Sequence, residues 1–170
     1  MTDVPLGAFQ HRMSKTAKNS SGDTSSQSAE LRQVAALPVR REKGSVQVCL
    51  VTTRETKRWT IPKGWPMKDT KDCRSAAIEA EQEAGLLGKA EREPLGDFLY
   101  WKRREAHFDL IRVFVYRLDV TGHLSVWREM AEREVRWFTP RDAALLVDEP
   151  GLSTLLAALD EPAEAKRKQR

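Results

Sequence analysis

Glu79, Glu81 and Glu83 fall at every second position of AAIEAEQEAGL, a stretch otherwise built of alanine, in a chain whose formal net charge is +4. A helical pitch puts Glu79 and Glu83 four apart on one face, with Gln82 three from Glu79 along the same edge. Like charges at that spacing repel mildly unless a cation lies between them. The turn that launches the helix, PKGWP, combines Pro62, which fixes the approach, with Gly64, which permits a close backbone path. Carboxylates gathered beside an exposed turn carbonyl form an oxygen-only site, which suits Mg²⁺ or Mn²⁺. A surface helix with glutamates kept for solubility is the plainer use of the same residues.

Basic residues cluster nearby in sequence. Arg54 and Arg58 bracket a turn, Lys63 and Lys68 follow on the next loop, and Arg40 and Arg41 end an earlier strand. Guanidinium forks and ammonium groups in such a set hold phosphate oxygens, although a solvated hairpin tip would look the same one residue at a time. Arg112 stands in the middle of an apolar strand, where an unpartnered charge is costly, so it is expected to face the site or a carboxylate. Trp101, Trp137 and Phe138 read as core or pocket wall, and the isolated His107 and His123 receive no role.

These groups need a scaffold. VAALPVR and SVQVCLVTT, divided by Lys43-Gly44, read as strands, and RWTIP as a short extended piece that Pro62 keeps from helix. Residues 72–84 form the helix, with Asp69, Thr70 or Asp72 available as N-cap and Gly85 to end it. PLGDFLYWKRR and HFDLIRVFVYRLDV follow as strands, the second apolar on both faces and therefore central. VRWFTP is a short strand, Pro140 opens a helix reaching about Val147, and GLSTLLAALDE gives a last helix with Leu152, Leu155, Leu156 and Leu159 on one stripe. Strands, a helix, more strands and two helices fit a mixed sheet between helices.

A chain of 170 residues allows one ordinary domain with some margin. Residues 1–29 are polar, Ser- and Thr-rich and without period, and are expected to be disordered; residues 30–160 form the domain, and residues 161–170 a basic tail. Cys49 and Cys73 lack metal-finger or redox spacing and are expected to be free thiols in a reducing compartment. No signal peptide or membrane-spanning run is visible, so a cytoplasmic protein is expected. A sequence pI near 9.2 attracts polyanions without choosing among them, and no base-reading signature accompanies it, which argues against direct nucleic-acid recognition.

Counted from Gly64, the helix segment resembles the Nudix box: glycine, five residues, Glu, seven residues, then Arg-Glu-aliphatic-any-Glu-Glu-any-Gly-aliphatic. Glu79, Ala80, Glu83, Gly85 and Leu86 fall in register. Thr70, Ile78 and Gln82 stand in the slots of the first glutamate, the arginine and the first of the paired glutamates. QVAALPVR, LVTTRETKRWTIPKGWP, VRWFTPRDAALLV and EPGLSTLL extend the likeness over roughly residues 32 to 159, toward the branch similar to the diphosphoinositol polyphosphate phosphohydrolases.

The resemblance implies an α+β Nudix fold, a mixed β-sheet sandwiched between helices (α/β/α). It implies Glu79 and Glu83 as catalytic carboxylates, with Glu79 as base and Glu83 as anchor ligand. Mg²⁺ or Mn²⁺ would be held by the carbonyl of Lys63, by Glu79, Gln82 and Glu83, and by one further acid before the last strand. Glu129 is favoured there over Glu132, although salt bridges to Arg128 or Arg133 would explain both equally well. Arg41, Arg54, Arg58, Lys63, Lys68 and Arg112 would hold a phosphorylated small-molecule substrate. That substrate would be a nucleoside-diphosphate compound, a dinucleoside polyphosphate or a diphosphoinositol polyphosphate, cleaved at its pyrophosphate linkage. An amide at position 82 removes one negative charge, and Ile78 removes the fork that would aim a glutamate. A catalytically impaired module that binds phosphorylated ligands is therefore the alternative, with an RNA 5′-pyrophosphate hydrolase a third. Homodimer formation is left open.

Overall fold

Ala76, Ala77, Ala80 and Ala84 recur at helical spacing, and all four are buried under helix α1 (Asp72–Ala84) in the computed structural model, which describes residues 30–159. Small side chains let the helix lie close against the sheet, so its carboxylate edge meets the turn that precedes it. The expected caps Asp69, Thr70 and Asp72 are not used. Lys71 is the N-cap, and its ammonium offers no acceptor for a cap bond; Asp72 is ion-paired with Arg32, and the Thr70 hydroxyl donates to the carbonyl of Lys68 at 3.2 Å. Gly85 closes the other end with φ 67°, and its N–H donates to the Glu81 carbonyl at 3.0 Å.

Eight strands make one mixed sheet: β1 (Leu31–Glu42), β2 (Ser45–Thr52), β3 (Trp59–Thr60), β4 (Lys63–Gly64), β5 (Leu86–Ala90), β6 (Gly96–Arg103), β7 (Phe108–His123) and β8 (Val135–Phe138). The main order is β3-β2-β1-β7-β5, with β4 on β1, β6 on β7 and β8 on β2. Only β1 and β7 run parallel among these pairs; the others are antiparallel. The first half of β7 pairs with β6 and the second with β5, so this strand is central and apolar on both faces. Residues 63–64 and 86–90, without a long β-branched run, carry no strand signature, and their pairing is imposed by β1 and β7.

Alternation along β1, β2 and β7 sorts the core into two layers. Val34, Ala36, Cys49, Val51, Tyr116 and Leu118 meet the alanines of α1. Ala35, Leu37, Val48, Leu50, Val113 and Val115 meet helices α2 (Pro140–Leu146) and α3 (Pro150–Ala157). Thr139 caps α2 by accepting from the N–H of Asp142 at 3.1 Å. Leu152 and Leu156 are fully buried, each contributing about 1.5–3 kcal/mol. Leu155 and Leu159 are only partly buried at the edge of the same cluster. The α/β/α sandwich is thus the observed architecture.

Among the described residues no helix is long and apolar enough to cross a membrane. The segments 1–29 and 161–170, read as disordered and as a basic tail, lie outside the described residues.

Gly85 is fixed twice over: its φ is left-handed, and a Cβ there would lie 2.6 Å from the Trp127 ring. Gly85→Ala should therefore destabilise the domain by more than about 1 kcal/mol, read as a lower denaturation midpoint in urea at unchanged slope.

Candidate active site

Antiparallel pairing of β4 with β1 holds the Lys63-Gly64 backbone beside the carboxylate edge of α1. Pro62 contributes its carbonyl to the N–H of Ala36 at 3.0 Å, so the N–H of Lys63 is left to donate to Glu83 Oε2 at 3.3 Å. Gly64 lies directly beneath Glu79. A Cβ at position 64 would fall 2.2 Å from Glu79 Oε1, so only glycine admits the carboxylate to the turn. Glu79 and Glu83 thereby converge on the backbone of residues 63 and 64.

Arg133, on the loop before β8, supplies the charge that this convergence needs. Its Nη2 donates to Glu83 Oε1 at 2.6 Å, its Nε to Glu129 Oε2 at 2.6 Å and its Nη1 to the carbonyl of Thr52 at 2.9 Å. The side chains of Arg133 and Glu83 are 9% and 7% exposed, so the pair is almost free of solvent screening. Burial nevertheless pushes the Glu83 carboxyl up to about 7. Arg133 and Lys63 oppose that rise, and the charges of Glu129 and Glu79 add to it. Glu79 is also raised, first by burial and then by Glu129. Burial lowers the Lys63 ammonium, against the pull of Glu83 and Glu149.

These residues open onto a cleft of about 800 Å³ that brings together Lys63, Glu79, Glu83 and Glu129 with Arg54 and Arg58. Arg54 pairs with Glu132 at 3.6 Å and Arg58 with Asp148 at 3.0 Å, both pairs exposed. Glu132 is thus turned to the cleft's outer rim, whereas Glu129 faces inward.

Four expected residues do not line the cleft. The Gln82 amide oxygen accepts from Arg128 Nη1 at 3.0 Å, beside a backbone bond from the N–H of Glu129 to the carbonyl of Gln82. Arg41 is exposed near the β1–β2 hairpin, and Lys68 is exposed in the loop before α1. Arg112 takes the carboxylate option, bonding Glu30 at 2.6 Å and Asp97 at 2.9 Å. It is 37% exposed, so its strand position carries none of the expected burial cost. Among the described residues no group of three or more His, Cys, Asp or Glu is spaced to hold a metal ion.

Sequence reasoning missed Lys102 and Arg103 from β6 and named Arg128 and Arg133 only as surface partners for Glu129 or Glu132; all four line the cleft, and Arg133 does pair with Glu129. Exposed Trp65 and Trp101 flank it, with Lys102 Nζ 5.3 Å from the Trp65 ring. For Arg133 the one available signal was its i, i+4 spacing from Glu129, which also describes an ordinary surface pair.

Arg133→Met should cost about 3–5 kcal/mol, because it strands two carboxylates without their counter-ion. The loss should shrink from pH 8 to pH 5: with its folded value raised above the unfolded one, Glu83 favours the folded state most below about 4.5, and that contribution fades as pH rises through about 7. Urea denaturation of both proteins at the two pH values checks the magnitude and the sign.

Known proteins resemble this chain in sequence and in fold. The NUDIX domain family matches residues 30–159. Nudix hydrolase 13, mitochondrial, of Arabidopsis thaliana is 26% identical over 107 residues, which are 58% of this chain and 52% of that protein. Diphosphoinositol polyphosphate phosphohydrolase 3-beta of Bos taurus is 30% identical over 114 residues, 66% of each. The chain spans about half the length of the Arabidopsis relatives it matches. In structure it is similar to a C. elegans Ap4A hydrolase in a binary complex, with a TM-score of 0.57 at 15% identity, over 75% of this chain and 93% of that one. With the family matching the whole described domain, the chain belongs to the NUDIX domain family.

Proposed function

We propose that the chain is a divalent-metal-dependent hydrolase acting on a diphosphate linked to another group. The observation that carries this reading is the convergence of Glu79 and Glu83 on the Lys63-Gly64 turn, at the floor of a cleft walled by cations. The donor set fits a hard divalent ion in chemical type, although its three carboxylates would have to draw closer together than they stand here. It is made of oxygens, and burial, with Glu129 adding to it, raises both carboxyls, so a cation entering the cleft would favour their ionised forms. Glu79, Glu83, Glu129 and the carbonyl of Lys63 would hold it, with Gln82 first having to leave Arg128. When bound, Mg²⁺ or Mn²⁺ would neutralise phosphoryl oxygens and lower the pKa of a water.

The residues supply the remaining steps. Glu79, its carboxyl raised by burial and so made more basic, takes the proton of the attacking water as the water oxygen bonds to phosphorus. The bond from phosphorus to the bridging oxygen breaks, and the electron pair leaves on the departing phosphate. Arg54 and Arg58 meet the phosphate oxygens by exchanging their exposed carboxylate partners, and Lys63 and Lys102 add charge from the cleft wall. Arg133 positions Glu83 and Glu129 and does not touch substrate. Nucleoside-diphosphate compounds, dinucleoside polyphosphates and diphosphoinositol polyphosphates are the substrate classes that this arrangement and its relatives suggest.

A second reading, a module that binds phosphorylated ligands without turnover, is favoured by two contacts. Arg128 engages Gln82, and Arg133 covers the oxygen of Glu83 that a metal would otherwise take. A panel of diphosphates assayed with Mg²⁺ and with Mn²⁺ separates the two. Turnover is expected from the unaltered chain; Glu83→Ala should abolish it with the fold retained, while Gln82→Glu should maintain or raise it. Ligand binding that survives chelator, with no product across the panel, would favour the module.

A further inference from the structure

Glu149 stands at the N-cap of α3 yet makes no side-chain cap bond, and its Oε2 is buried with no hydrogen-bond partner among the described residues. The residue lines the cleft together with Lys63, Tyr100 and Arg58. Its neighbours are committed elsewhere: Arg58 to Asp148, the Tyr100 hydroxyl to Gln33 Oε1 at 2.8 Å, and Lys63 Nζ to Thr60 Oγ1 at 3.3 Å. An unpaired buried acceptor of this kind is costly, and a donor from outside would recover that cost.

Charge decides which donor. A carboxylate repels phosphate, so Glu149 cannot belong to the phosphate cradle formed by the arginines and lysines of the same cleft. It suits a ligand that is anionic at one end and carries O–H or N–H groups on a neutral body at the other. A nucleoside attached to a diphosphate has both. A polyol with every hydroxyl phosphorylated has no donor to offer and would bring further negative charge against Glu149.

We propose that Glu149 is a specificity-determining residue that accepts a hydrogen bond from the nucleoside of a nucleoside-diphosphate or dinucleoside polyphosphate substrate and disfavours densely phosphorylated inositols. This rests on the reading of the cleft as a phosphate site. The organic part of the ligand then lies toward α3, and the scissile diphosphate toward α1.

The test is calorimetric titration of the full chain with Mg²⁺, using three probes that resist cleavage or lack a diphosphate: methylenediphosphonate, α,β-methylene-ADP and inositol hexakisphosphate. The unaltered chain should bind α,β-methylene-ADP more tightly than the other two. Glu149→Ala and Glu149→Gln should each weaken the nucleotide about tenfold or more, leave methylenediphosphonate within about twofold and tighten the inositol phosphate by removing a repulsive charge. Glu149→Gln preserves the shape at the start of α3, and its melting temperature checks the fold. Equal shifts for nucleotide and methylenediphosphonate, or tighter binding of the inositol phosphate than of the nucleotide by the unaltered chain, would overturn the proposal. Failure of the unaltered chain to bind methylenediphosphonate would instead overturn the phosphate reading, and this inference with it.

Discussion

A guanidinium held between two buried carboxylates is the contact on which the site's arrangement depends. Arg133 joins Glu83 of α1, Glu129 of the preceding loop and the carbonyl of Thr52 at the end of β2. Removing two acids and a base from water is expensive, and the cost is offset only if the fork geometry is good and the remaining donors are used. Here three of its N–H groups bond three different segments, so the charge needed for desolvation also fixes the helix, the sheet and the loop relative to one another.

The surface charges obey a different rule. Arg54 with Glu132 and Arg58 with Asp148 are solvent-exposed pairs, each worth about 0–1 kcal/mol, so exchanging a carboxylate for a phosphate on either arginine is nearly free. The fork is held at three points in the interior, whereas the rim arginines are only weakly committed to their partners.

How far this was legible in sequence follows from the range of the interactions. The α1 alanines, Gly85 and the two-sided apolar pattern of β7 are local signals, and they give the sandwich and its central strand. Glu79, Glu83 and Gly64 were visible because one helix and the turn before it carry them all. Arg133 was not, since its main partner lies 50 residues earlier and nothing near REVRWF distinguishes a buried fork from a surface pair. Glu149 was invisible for the same reason: its significance is a missing partner, which only packing reveals. Arg112, in the middle of β7 between β1 and β6, meets the expectation of a carboxylate partner through Glu30 and Asp97, both far from it in sequence, and its side chain stays 37% exposed. The short strands β4 and β5 owe their conformation to the strands beside them, which local propensity does not record.

The parallel pairing of β1 with β7 also bears on how the chain is made. Residues 31–39 lie against residues 111–119, and most of the domain is synthesised between the two. β1 can form its hairpin with β2 as soon as both are made, but its other edge has no partner until β7 has emerged. Because closing so long a loop comes before its contacts can reward it, the nascent domain presents an open sheet edge until residues 108–123 have been made.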